Sequence, residues 1–190
     1  MTERVHLIHG ALNKDASGWD GLIGELRGAG LRPVVRHYGW AGPLTTRRRS
    51  RAAGERFAED VAEGDHVVAF SNGGLVAWEA LEVGMKCDRL VLIQPALARD
   101  AEFGPGARRI TVLYNGGDWI VELSRAWSAL NPFGWSEGGW GAMGRRGPDT
   151  DDDRVQAIDT AEEADTSGHF AWRGDYARHW YPRIVELLKG

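Results

Sequence analysis

The sequence predicts an α/β fold of three layers, α/β/α, with a mostly parallel central sheet of about six strands. Three observations predict it. Short apolar runs rich in β-branched residues alternate with segments whose apolar residues recur at helical spacing, through most of the 190 residues. Such alternation joins parallel strands by crossover helices, which cover both faces of the sheet. The stretch Val67-Val68-Ala69-Phe70-Ser71-Asn72-Gly73-Gly74-Leu75-Val76-Ala77-Trp78 passes straight from a buried strand pattern, through one turn, into a helix pattern. Finally, no internal repeat or linker divides the chain, so residues 1–190 are expected to form one domain.

Taken in order, Val5-His6-Leu7-Ile8 reads as the first strand, followed by His9-Gly10 and a small, polar loop over 13–17. Trp19, Leu22, Ile23 and Leu26 share one helical face, and Gly28 and Gly30 end that helix. Pro33–Tyr38 is the second strand, with proline at the position where its missing N–H matters least. Thr45 or Thr46 can cap a second helix running to about Ala62, whose Ala53, Phe57 and Val61 recur every fourth residue. The strand that ends at Phe70 is third, and the helix after Ser71 runs to about Val83, ended by Gly84. Asp88–Gln94 is the fourth strand, stopped by Pro95, and Arg109–Tyr114 the fifth. From Trp119 to Asp153 the pattern loosens; a short helix over 121–130 fits, followed by glycines mixed with large aromatics. Residues 119–153 are expected to form a lid insertion within the domain. Arg154–Asp159 is the sixth strand, 160–174 a loop, and the final helix, with Pro182 in its first turn, is expected to begin near Tyr181.

Composition narrows the function. A net charge of −4 argues against a nucleic-acid-binding protein. The run Arg47-Arg48-Arg49 with Arg51 reads as a solvated helix face rather than a phosphate site. No apolar stretch is long enough to span a bilayer, and Met1-Thr2-Glu3-Arg4 lacks a signal peptide's features, so a cytoplasmic location without membrane attachment is expected. Cys87 alone precludes an internal disulfide and reads as a small buried hydrophobe. The acidic residues Asp149 and Asp151-Asp152-Asp153 lack the spacing of a calcium loop and read as solvated; no metal and no cofactor are expected.

Parallel sheets bind ligands at the carboxyl ends of their strands, so the residues that follow strands matter most. Ser71 sits at a strand-to-helix turn with Ala69 and Gly73 two residues either side, a small-x-Ser-x-Gly arrangement in which alanine replaces the usual first glycine. A serine at such a turn is strained, and the strain lifts its hydroxyl above the sheet. The competing reading is an ordinary helix N-cap. Serine needs a base, and the base a carboxylate to orient it. Among six histidines, His6 and His37 lie inside strands, His66 starts a strand at the wrong end, and His179 enters the last helix. His9 precedes Gly10, and His169 follows the last strand beside Gly168, which makes it the best base. Asp118, just past the fifth strand and a glycine pair, is the best acid, ahead of Asp159 and Asp165; alone it could be a turn residue.

The order Ser71, Asp118, His169, with the His9-Gly10 turn before it, resembles the α/β-hydrolase superfamily over nearly the whole chain. Trp140-Gly141-Ala142-Met143-Gly144-Arg145 is also similar to small phage-encoded members. The resemblance implies a minimal version of that fold with little or no cap, and an oxyanion hole from the N–H of Asn72 with that of Ala11 or Leu12. It implies a serine hydrolase that cleaves a small-molecule carboxylic ester or related acyl compound. The different-class alternative is a non-catalytic protein that binds a small ligand or a protein partner in the same cleft. Trp119, Trp135 and Trp140 are expected to line the substrate pocket, although late tryptophans also serve as core.

Overall fold

The computed structural model describes residues 2–10, 18–39, 46–119, 141–161 and 175–190. In chain order the described elements are β1 (Arg4–Ile8), α1 (Asp20–Gly28), β2 (Arg32–Arg36), α2 (Thr46–Asp60), β3 (His66–Phe70) and α3 (Asn72–Glu82). Then come β4 (Cys87–Ile93), β5 (Ala107–Tyr114), the single turn α4 (Met143–Arg146), β6 (Val155–Asp159) and α5 (Asp175–Lys189). The six strands form one sheet in the order β2-β1-β3-β4-β5-β6, and every pairing is parallel. The expected three-layer α/β/α architecture is therefore the observed one, with β2 and β6 at the edges.

Alternate residues of the central strands feed two apolar layers, as a strand's two-residue period requires. Val67, Ala69, Leu90 and Leu92 pack beneath α2 and α3 with Phe57 and Leu75. Val68, Val91 and Ile93 pack on the opposite face with α1 and α5 through Leu22, Leu26 and Trp180. Cys87 opens β4, one residue earlier than expected. Burial, with Asp88 and Asp65 nearby, pushes its thiol up to about 12, which suits a packing role.

Two expectations are corrected. The last helix begins at Asp175, not near Tyr181, and Pro182 lies inside it. Its buried face starts earlier: Ala177, Trp180, Tyr181, Ile184 and Leu188 are all at most 8% exposed. An interior proline costs a helix roughly 3 kcal/mol. Burying large side chains such as Trp180 and Tyr181 returns on the order of 2–3 kcal/mol each, so packing overrides the local signal. The acidic run is corrected at one residue: Asp149, Asp151 and Asp153 are exposed, and Asp152 is half-buried. Asp152 takes a two-pronged contact from Arg154, at 3.0 Å from Nε and 2.6 Å from Nη2. The Arg154 guanidinium also donates to the carbonyls of Phe103, Gly104 and Ala107 at 2.8–3.1 Å, clamping the loop before β5 to the start of β6.

The expected helix over 121–130 lies outside the described residues, as does most of the expected lid. Of the part that is described, 119 and 141–153, residues 141–147 pack on the sheet: Met143 is fully buried, and its N–H donates to the Leu97 carbonyl at 3.0 Å. Among the described residues, no helix is long and apolar enough to cross a membrane.

Candidate active site

β3 ends at Phe70, and Ser71 takes φ 55° and ψ −120°, a conformation L-residues rarely adopt, before α3 begins at Asn72. Several contacts hold it there. The Ser71 N–H donates to the Ile93 carbonyl at 2.9 Å, and the Ser71 carbonyl accepts from Gly74 at 3.0 Å and Ala96 at 3.1 Å. The next residue but one explains the glycine: a Cβ on Gly73 would come within 2.6 Å of the Ile8 carbonyl oxygen and 2.8 Å of that of His9. Only glycine lets α3 start this close to the end of β1. Ser71 makes no side-chain capping bond to α3, so the N-cap reading does not account for it.

His9 and Gly10 follow β1. An added Cβ on Gly10 would meet the Ser71 Cβ at 3.2 Å, so Gly10 lies against the serine. His9 is buried, donates from Nδ1 to the Gly10 carbonyl at 2.7 Å, and stacks on Tyr38 with ring centroids 4.6 Å apart. Tyr38 accepts a hydrogen bond from Asn72 Nδ2 at 3.0 Å. Burial pushes its hydroxyl well above the ordinary range, outweighing the Asn72 contact, so it stays protonated. Asn72 Nδ2 also donates to Ser50 Oγ at 3.2 Å. One buried side chain thus ties the first residue of α3 to α2 and to the exit of β2. Sequence reasoning gave Asn72 a backbone role alone; this side-chain tie is invisible locally because its partners lie 34 and 22 residues away.

Asp118 follows β5 and is fully buried. Its N–H donates to the Asn115 carbonyl at 2.9 Å. Asn115 organises the turn: its Oδ1 accepts from the Gly117 N–H at 2.9 Å, and its Nδ2 donates to Thr160 Oγ1 at 3.3 Å. The Asn115 N–H donates to the Gly144 carbonyl at 2.9 Å. Asp118 therefore stands on a braced loop at the same sheet edge as Ser71, two strands away. Trp119 comes next and is 60% exposed.

His169, Ala11, Leu12, Trp135 and Trp140 lie outside the described residues, as does Asp165. Asp159 accepts the Ala161 N–H at 2.9 Å and so holds its own turn. His66 lies at the opposite end of the sheet, 3.4 Å from Glu3. His6 is bound to Asp65 and Arg36, and His37 and His179 are exposed. Among the described residues, no group of three or more His, Cys, Asp or Glu side chains could hold a metal ion.

No family model matches the chain, and no curated protein matches it in sequence. Solved structures do match in shape. An alpha/beta-superfamily protein from Xanthomonas campestris pv. campestris superposes with a TM-score of 0.57 at 17% identity, covering 98% of each chain. A monoacylglycerol lipase from Paleococcus ferrophilus gives 0.56 at 14% identity, over 99% of this chain and 96% of that one. An esterase from Pyrococcus furiosus gives 0.57 at 14% identity, over 98% and 82%. At such identities the likeness carries the fold: the chain has the α/β-hydrolase fold.

Proposed function

We propose that this chain is a serine hydrolase acting on a small carboxylic ester or related acyl compound. The observation that carries the reading is the left-handed backbone of Ser71, at φ 55° on the turn from β3 into α3. A fold keeps such strain where a reacting group must be presented. The lipase and esterase among the structural neighbours support a hydrolytic role.

In this reading Ser71 Oγ attacks the acyl carbonyl while His169 takes its proton. Asp118 orients and stabilises the resulting imidazolium. The negative oxygen is met by the N–H of Asn72, at the positive end of α3, with Ala11 or Leu12 as second donor. Collapse expels the alcohol, which takes the proton from His169. Water, deprotonated by His169, then attacks the acyl-enzyme and frees the acid and Ser71. Trp119 sits beside Asp118, and with Trp135 and Trp140 would wall an apolar substrate pocket.

Ser71→Ala should lower hydrolysis of p-nitrophenyl acetate by roughly three orders of magnitude or more while leaving the circular dichroism spectrum intact. A fluorophosphonate probe should label wild-type Ser71. Turnover preserved in the variant would refute the nucleophile, and failure to label would favour a binding protein.

A further inference from the structure

Ser71 is not alone in its strain. Among the described residues, two non-glycine residues have positive φ: Ser71 at 55° and Gln94 at 44°. They are neighbours. β3 pairs with β4 so that Phe70 lies opposite Ile93, which makes Ser71 and Gln94 the next residues on the two strands. The backbone hydrogen bonds from Ser71 to Ile93 and from Ala96 to Ser71 lock the two turns together.

The Gln94 conformation runs against local preference twice. Left-handed backbone favours glycine, asparagine and aspartate, and a residue before proline, here Pro95, leans towards extended conformations. The surroundings enforce it. The Gln94 N–H donates to the Leu113 carbonyl at 2.7 Å, and the Gly144 N–H donates to the Pro95 carbonyl at 3.0 Å. Gly144 lies so close that a Cβ there would come within 2.5 Å of the Gln94 carbonyl carbon.

The side chain is as unusual as the backbone. Gln94 is 0% exposed, and among the described residues neither Oε1 nor Nε2 has a hydrogen-bond partner. A buried carboxamide in that state weakens the fold, and an apolar side chain of the same shape would not. A polar group left unsatisfied beside a strained serine calls for a partner that these residues do not supply.

We infer that Gln94 is a specificity-determining residue, its carboxamide hydrogen-bonding a secondary amide carried by the acyl part of the substrate near the scissile carbonyl. This rests on Ser71 being the nucleophile. A carboxamide presents a donor and an acceptor together, the complement of an amide's N–H and C=O. An alkyl chain would leave both unpaired, and sites built around such groups discriminate strongly against substrates that lack the partner.

The test compares p-nitrophenyl N-acetylglycinate with p-nitrophenyl pentanoate, acyl groups of matched length, each rate divided by that with hydroxide. The wild type should prefer the acetamido ester by at least about tenfold in kcat/KM, and Gln94→Met should cut that ratio by about tenfold. Gln94→Met should also raise the thermal midpoint, because it removes the unsatisfied amide. In the Ser71→Ala background, N-acetylglycine ethyl ester should raise the midpoint, and adding Gln94→Met should abolish that shift. An unchanged ester ratio, or a midpoint lowered by Gln94→Met, would overturn the assignment. If neither ester is turned over by the wild type, the nucleophile reading fails, and the ligand-induced shift then decides the role of Gln94 by itself.

Discussion

A single backbone angle separates Ser71 from an ordinary capping serine. Holding a residue with a Cβ at φ 55° and ψ −120° costs roughly 1–3 kcal/mol. Glycine does not bear that cost, although it loses about 0.5–1 kcal/mol more conformational entropy on folding. Ser71→Gly should therefore unfold at higher urea than Ser71→Ala, by about 1 kcal/mol, with both variants inactive; an alanine variant of equal or greater stability would show the turn to be relaxed. Ser71 was legible in the sequence because strand pattern, small neighbours and helix pattern converge on it. Gln94 was not. A glutamine before proline reads as the plain end of a strand, and its left-handed turn is imposed by Leu113 and Gly144, which no local pattern connects to it.

Among the elements, a polar knot joins β1, β2, α2 and the residue before β3. Arg4 Nη2 lies 2.7 Å and His6 Nε2 3.0 Å from Asp65 Oδ2. Arg36 Nε donates to His6 Nδ1 at 3.1 Å, and Arg36 Nη1 reaches Asp60 at 2.9 Å. One neutral tautomer fits: Nε2–H donates to Asp65 while Nδ1 accepts from Arg36. Burial drives the His6 pKa down, Asp65 opposes it, and Arg36 reinforces it. Burial alone would raise the Asp65 carboxyl, but Arg4, the Ala62 amide and His6 together hold it below the usual carboxylate range. Both groups are depressed in the folded state, so both bind protons more readily once unfolded. Their stabilisation is complete above the ordinary histidine value of about 6.5. It is lost as pH falls, first through His6 and then through Asp65. The urea midpoint should be level between about pH 7 and 8 and decline below about 6.5. His6→Gln, weaker overall, should flatten the first part of that decline; an unaltered profile would place the titration elsewhere. The sequence marked His6 as structural from its place inside a strand, yet gave no sign of Asp65 or Arg36. Helix α5 was misjudged for a related reason: Pro182 is a strong local signal, and the buried face that outweighs it is a tertiary fact.

At the scale of the whole molecule, alternation of patterns was enough to read the architecture, because a parallel sheet needs a crossover after each strand and leaves few ways to connect them. The order β2-β1-β3-β4-β5-β6 brings the ends of β1, β3, β4 and β5 to one rim, so residues 10, 71, 94 and 118 gather although they are scattered along the chain. Among the described residues, the same order leaves β2 with one unpaired side. That strand is Arg32-Pro33-Val34-Val35-Arg36, two cations and an imino acid in five residues. Charge and a missing amide donor discourage a second molecule from adding its own strand there. Replacing Arg32 and Pro33 with valine should make the protein scatter more light and bind more thioflavin on warming than the wild type does, while leaving Ser71 chemistry intact in whatever stays dispersed. On that expectation the border of the sheet sets how concentrated the protein can become before it begins to polymerise.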